Sequence, residues 1–221
     1  MNIVFDIETL ALPFESLSPS QQEYIQRYAN KIEDENERLK KMEENIKYLP
    51  LYPFTAKIIA VGMYEIKSKK GIVLYESSLE NELWKSVDET FKFQPADEKY
   101  MIDYFWSKIV KAKQIISFNG KNFDIPFLKI RSAINQIKVP KMNNILHTDL
   151  LDELTFYGKI RKFNLDFYCH AFGIETPKTD FANGLEVSNL YQAQRYKEIA
   201  EYCSRDLIAT AKLFEIFQNY L

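Results

Sequence analysis

Two carboxylates stand two positions apart in Val4-Phe5-Asp6-Ile7-Glu8-Thr9, a third closes Phe118-Asn119-Gly120-Lys121-Asn122-Phe123-Asp124, and a fourth ends Tyr202-Cys203-Ser204-Arg205-Asp206. Each sits at the edge of an apolar segment, where an ionised carboxylate is costly unless a cation meets it. A pair of divalent metal ions is the simplest remedy, and two ions held by carboxylates are suited to cutting phosphodiesters. Taken singly, each acid has a plain structural use. Asp6 and Glu8 fit the solvent face of a half-buried strand. Asp124 suits the positive end of a helix macrodipole, and Asp206 suits a surface ion pair. Their occurrence in this order, each on a fitting element, is the informative feature.

The elements that position them follow from the apolar pattern. Ile3–Ile7 is short and β-branched, as in a buried strand, and a side-chain period of two puts Asp6 and Glu8 on one face. Lys57–Tyr64 and Gly71–Tyr75 read as an antiparallel hairpin joined by the polar Lys67-Ser68-Lys69-Lys70. Asp97–Lys113 carries a helical apolar face of Met101, Ile102, Phe105, Trp106, Ile109 and Val110. Gln114–Phe118 reads as a strand. Asn119-Gly120 then turns the chain into a helix that starts at Lys121 or Asn122 and places Asp124 near its beginning. The remainder reads as mostly helical, around Thr148–Tyr157, Leu165–Phe172 and Gln194–Tyr220. Tyr202 and Asp206, four residues apart, share a helix face. The order predicts an α/β fold, a mixed sheet with helices packed on it.

Residues 15–50 interrupt this plan. Ser18-Pro19-Ser20-Gln21 is a helix start with a capping box. Ile25, Tyr28, Ile32, Leu39, Met42, Ile46 and Leu49 then recur at three- and four-residue spacing around a charged middle. The pattern fits one long helix, on the order of 40 Å if continuous, or two helices. The segment leaves three roles open: packing on the rest of the chain, a homodimer contact, or a nucleic-acid clamp.

Composition sets bounds. The chain has 221 residues and a net charge of −2, which excludes coating nucleic acid by bulk positive charge but not a nucleic-acid enzyme. The two cysteines, Cys169 and Cys203, have no metal-ligand spacing, so a zinc site or disulfide framework is not expected and a reducing cytoplasm is. No stretch reaches the roughly 20 apolar residues of a membrane span, and, if Asp6 is catalytic, no cleaved leader is expected ahead of the N-terminal strand.

The three acidic segments resemble the Exo I, Exo II and Exo III motifs of the DEDD 3′-5′ exonucleases, whose fold is ribonuclease H-like. Asp6-Ile7-Glu8-Thr9 matches the first, Asn119 through Phe123-Asp124 the second, and Tyr202-x-x-x-Asp206 the third in its tyrosine form. Glu201 occupies the position where the alternative form has histidine. The chain is most similar to the exonuclease domain of family B DNA polymerases, and among those proteins to stand-alone bacterial polymerase-B-like exonucleases. Phe54–Gly62, His147-Thr148-Asp149-Leu150 and Asn164-Leu165-Asp166 sit where that group has similar segments. The resemblance covers residues 1–14 and about 52–221. It implies a single exonuclease domain over 1–221 with a helical insertion at about 15–50 and no polymerase domain.

This resemblance implies that Asp6, Glu8 and Asp206 hold one divalent ion. Asp6 is shared with a second ion that Asp124 serves, and Tyr202 orients the attacking water. Two Mg²⁺ suit the all-oxygen ligands, and Mn²⁺ can substitute. Thr9, Leu10, Asn119, Phe123 and Lys178 are candidate contacts to the terminal nucleotide, with Arg205 and the basic Lys159, Arg161 and Lys162 as further phosphate contacts. His147 and His170 read as structural. The expected partner is a nucleic-acid 3′ end, DNA before RNA. A ribonuclease of the same type and a non-catalytic scaffold are the alternatives.

Overall fold

The computed structural model describes every residue except Glu80 and 177–183, and only the backbone of 184–186. Lys178 therefore lies outside the described residues. The chain begins with strand β1 (Asn2–Ala11), followed by helices α1 (Pro19–Gln26) and α2 (Glu35–Lys47). Next come strands β2 (Ala56–Glu65), β3 (Lys70–Tyr75), β4 (Trp84–Lys85) and β5 (Phe91–Pro95), then helix α3 (Glu98–Ile109) and strand β6 (Gln114–Ser117). Helix α4 (Asp124–Ile134), strand β7 (Leu146–Asp149), and helices α5 (Leu150–Leu154), α6 (Leu165–Ala171), α7 (Gly184–Gln192) and α8 (Tyr196–Tyr220) complete the order.

The strands form one mixed sheet in the order β4-β5-β3-β2-β1-β6-β7. β1 runs antiparallel to β2 and parallel to β6, so it is interior to the sheet. That position explains why six of its ten residues are buried and none is exposed, rather than alternating as a half-exposed strand would. One face of the sheet packs Val4, Ala60, Val73 and Tyr75 against α8 and its neighbours. The other packs Ile3, Phe5, Ile7, Val61 and Leu74 against α3 and α4.

Residues 15–50 form two helices, not one rod. The capping box at Ser18 is present, with Pro19 in the first helical turn. The helix stops at Gln26, and Asp34 caps a fresh one through the Glu37 N–H at 2.8 Å. The hairpin between them is held by polar contacts: Gln26 donates to Met42 O at 3.2 Å, and Asn45 donates to Ile25 O and Gln26 Oε1. None of α2 is fully buried, and Leu39 and Ile46 of its apolar stripe are exposed. Pro50, just past the hairpin, accepts the Thr9 hydroxyl at 2.8 Å and so ties this segment to β1.

Other sequence expectations need correcting. β4, β5 and β7 do not appear in the sequence reading, and His147–Asp149, placed partly in a helix there, is a strand paired with β6. The helix carrying Asp124 starts at Asp124 itself. β1 runs past the expected Ile3–Ile7 span and on through Leu10 and Ala11. Among the described residues, no helix is long and apolar enough to cross a membrane.

Candidate active site

Asp6 and Glu8 sit opposite Gly62 and Ala60 in the β1–β2 register, on the face that α8 covers. Directly after them the register shifts between Glu8 and Thr9. Such a bulge re-aims side chains and is common beside active sites.

Gly62 sets the distance between sheet and helix. A Cβ there would lie 2.6 Å from both Cys203 Sγ and Leu207 Cδ1. The isolated glycine inside a strand is what lets α8 lie close over β1 and β2, and α8 carries Tyr202 and Asp206. Gly62→Val is therefore expected to cost roughly 1–3 kcal/mol of stability by overpacking and to lower activity as α8 lifts. Thermal melts and nuclease assays, with Gly62→Ala as the milder member of the series, check this. Unchanged stability and activity in Gly62→Val would remove the spacing argument.

Asp124 reaches β1 from the other side. Below Val4 the chain pairs with β6, but beyond it the ladder to β6 ends. The Ile7 N–H instead donates to Asp124 Oδ1 at 3.1 Å. A helix side chain thus continues the sheet's hydrogen bonding, which tethers one oxygen and leaves Oδ2 for other duty. Gly120 lies beneath it: a Cβ there would meet Ser117 at 2.6 Å and Asp124 Oδ2 at 3.3 Å.

The loop between β6 and α4 is pinned by a residue the sequence reading did not single out as functional. Buried Asp149 accepts the N–H groups of Asn119 and Lys121, both at 2.8 Å, and that of Leu151 at 3.1 Å. Asn119 can then hold a left-handed backbone (φ 66°). Asp149 also caps α5, but nothing in the sequence shows its link back to Asn119. His147, near Ser117 Oγ at 2.8 Å, is held neutral with its pKa lowered to about 4 by burial and the Lys121 charge.

These elements bring together Asp6, Glu8, Asp124, Tyr202 and Asp206. One ligand atom each from Asp6, Glu8 and Cys203 lie within 4.8 Å of one another. Burial raises the Asp6 carboxyl well above the usual range, and the charges of Asp124, Glu8 and Asp206 raise it further. Glu8 rises for the same reasons, with burial first and then Asp206 and Asp124. Burial pushes Asp124 up to about 7. Among the described residues, no lysine, arginine or histidine forms an ion pair with Asp6, Glu8 or Asp124. Like charges crowded on Asp6, Glu8 and Asp124, with no ion-paired cation on these three among the described residues, fit a divalent cation as a partner. Cys203, whose place here the sequence spacing gave no sign of, stays a neutral thiol because burial and the same carboxylates raise it. The charged donors are therefore all oxygen.

Tyr202 is half-buried, and burial together with the charges of Glu8, Asp206 and Asp6 keeps it un-ionised. The candidate substrate contacts are placed less uniformly. Thr9 is buried with its hydroxyl on Pro50, and Leu10 is half-buried against the core on the α8 side. Phe123 packs on Phe127, with ring centroids 5.5 Å apart, and against the α3 side of the core. Arg205 precedes Asp206 on α8, and Lys159, Arg161 and Lys162 lie exposed between α5 and α6.

A pH dependence follows for the metal-free protein. Asp6, Glu8 and Asp124 have folded pKa values above their unfolded values of ~4. The folded state then binds more protons than the unfolded state, so their contribution favours folding at low pH and is lost as pH rises. The Tm of EDTA-treated protein should fall between pH 5.5 and 8, and Mn²⁺ should raise it more at pH 8 than at 5.5. A metal-induced shift that is larger at pH 5.5 would contradict this.

Comparison with known proteins agrees with the architecture. Over 98% of its length the chain superimposes on the family B DNA polymerase of the hyperthermophilic archaeon Pyrobaculum calidifontis, with a TM-score of 0.61 and 14% identity, covering 24% of that polymerase. The fold is thus the ribonuclease H-like α/β fold of polymerase exonuclease domains. Residues 46–220 match the family described as "Predicted 3'-5' exonuclease related to the exonuclease domain of PolB", and the chain belongs to that family. It is also 27% identical over 174 residues to DNA polymerase 1 of Sulfurisphaera ohwakuensis, covering 69% of this chain and 19% of that protein. The chain thus spans about a fifth to a quarter of these polymerases. The family match includes Asp124, Tyr202 and Asp206 but begins after Asp6 and Glu8, whose place in the site rests on geometry.

Proposed function

We propose that the chain is a divalent-metal-dependent 3′-5′ exonuclease of the tyrosine type, removing nucleotides from the 3′ end of DNA, single strands first. The observation that carries this is the convergence of five motif residues from β1, α4 and α8 into one buried to half-buried cluster whose carboxylates raise one another's pKa. Asp6, Glu8 and Asp206 would hold one ion, and Asp6 and Asp124 the second. The all-oxygen charged set favours Mg²⁺ or Mn²⁺. Bound divalent ions supply positive charge that stabilises the attacking and departing oxygens of an in-line displacement.

The chain's own residues do the positioning. Asp124, tethered at Oδ1 by Ile7 N–H, presents Oδ2 in a fixed place. Tyr202, un-ionised beside Glu8, Asp206 and Asp6, acts as a hydroxyl that aligns the attacking water by hydrogen bonding, not as a base. Loss of Tyr202 should therefore slow the reaction more than it weakens binding.

The test is the product pattern from 5′-labelled single-stranded DNA, duplex DNA and RNA of one sequence, with Mg²⁺ or Mn²⁺. Progressive shortening of single-stranded DNA supports the reading. Faster shortening of RNA would replace it with a ribonuclease of the same type. Absence of cleavage, together with no Mn²⁺ binding by calorimetry, would leave a scaffold. The exposed stripe of α2 supports a homodimer contact, which solution mass with and without residues 15–50 tests.

A further inference from the structure

The segment after α5 does something unusual for aromatic residues. Phe156, Tyr157 and Gly158 follow one another in left-handed backbone, with φ of 49°, 57° and 85°. That region is costly for bulky side chains, and burying the rings would offset the cost. Instead Phe156 is 57% and Tyr157 68% exposed. The turn is held firmly: Tyr157 N donates to Asp152 O at 2.7 Å, Ile160 N to Thr155 O at 3.2 Å, and the Tyr157 hydroxyl to Glu153 at 2.6 Å.

Two features say what such a surface meets. It carries exposed cations directly after the turn, Lys159, Arg161 and Lys162, of which Lys162 pairs with Asp152 at 3.8 Å. Arg161 lies 5.2 Å from the Phe163 ring, which stacks on exposed Phe167 at 3.9 Å and 10°. It also adjoins the site. Lys121, in the loop leading to Asp124, has its Nζ 5.9 Å from the Tyr157 ring, and Asp149 pins both that loop and the start of α5. Exposed rings alternating with cations suit unpaired bases that stack while phosphates meet positive charge. A duplex, with its bases already stacked, offers these rings nothing.

We propose that Phe156 and Tyr157, with Arg161 and the Phe163–Phe167 stack, form a platform that binds the single-stranded nucleic acid upstream of the scissile 3′ end. The proposal rests on the exonuclease reading and adds a binding track to it. Phe156→Asn/Tyr157→Asn removes the rings and suits the left-handed backbone, so the variant is expected to fold with an unchanged or higher Tm.

The experiment measures binding of 5′-fluorescein-labelled dT₁₂ in EDTA by anisotropy, together with kcat and KM on dT₁₂ and on the dinucleotide dTdT with Mn²⁺. The double variant should bind dT₁₂ about tenfold or more weakly and raise KM for dT₁₂ far more than for dTdT, with kcat little changed. A dT₁₂ in which abasic sites replace the bases should bind wild type as weakly as dT₁₂ binds the variant. Equal losses on dT₁₂ and dTdT, or wild-type binding by the variant, would overturn the platform. If wild type binds dT₁₂ through these rings yet degrades neither substrate, the exonuclease reading fails and the platform stands.

Discussion

Asp206→Ala is expected to reduce 3′-end hydrolysis about a thousandfold or more while leaving the metal-free protein as stable as wild type. A bound ion contributes several kcal/mol to the stabilisation of transition-state charge, and each ~1.4 kcal/mol is tenfold in rate. Stability should not follow activity down, because Asp206 is one of the charges that raise Asp6 and Glu8. Removing it relieves that repulsion. The checks are single-turnover rates with Mn²⁺ and a melt in EDTA. A variant that keeps wild-type degradation would sink the site, whereas loss of folding together with activity would assign Asp206 to structure.

Glu98→Ala is expected to have the largest effect on stability. Glu98 accepts both Nε and Nη2 of Arg131, at 2.8 and 2.7 Å, the Asn135 side chain at 3.0 Å and the Ile58 N–H at 2.8 Å. Arg131 also reaches Pro53 O at 3.2 Å, so a single ion pair joins α3, α4, β2 and the turn that leads from the 15–50 segment into β2. Arg131 is buried, and removing Glu98 strands its charge and the Ile58 amide. Breaking such a pair costs about 3–5 kcal/mol, which lowers Tm by roughly 6–20 °C for a chain this size. A drop of a degree or two in a thermal melt would show that the Arg131 charge finds water instead. The pair packs on the sheet face opposite the carboxylates, so the residual folded fraction should keep its specific activity.

The sequence made the site more legible than the fold around it. β1, β2, β3 and β6 are apolar, β-branched runs, so they read directly. The Leu146–Asp149 strand is four residues long and ends in Thr148-Asp149, too short to show a period and easily absorbed into the helix that follows. Phe91-Lys92-Phe93-Gln94-Pro95 alternates cleanly, but β4, which it pairs with, is only two residues long and gives no hairpin signal. In residues 15–50 the apolar spacing carries across a break that Asp34 makes by capping a new helix, so periodicity alone left one helix and two equally open. Within the site, i and i+2 on a strand and i and i+4 on a helix have local geometry and could be read. Gly62 sits unremarked inside the Lys57–Tyr64 run, because its partners Cys203 and Leu207 lie about 140 positions away along the chain. Asp149's hold on Asn119 is likewise a tertiary contact with no local period to announce it.

The most direct measurement is the fate of the terminal nucleotide on single-stranded DNA labelled at its 3′ end. With Mg²⁺ or Mn²⁺, the account predicts that label leaves as a mononucleotide in the first turnover, that EDTA stops its release, and that Asp6→Ala and Asp206→Ala release none on the same timescale. Label retained on a shortened strand, or released first as an oligonucleotide, would contradict a 3′-5′ exonuclease.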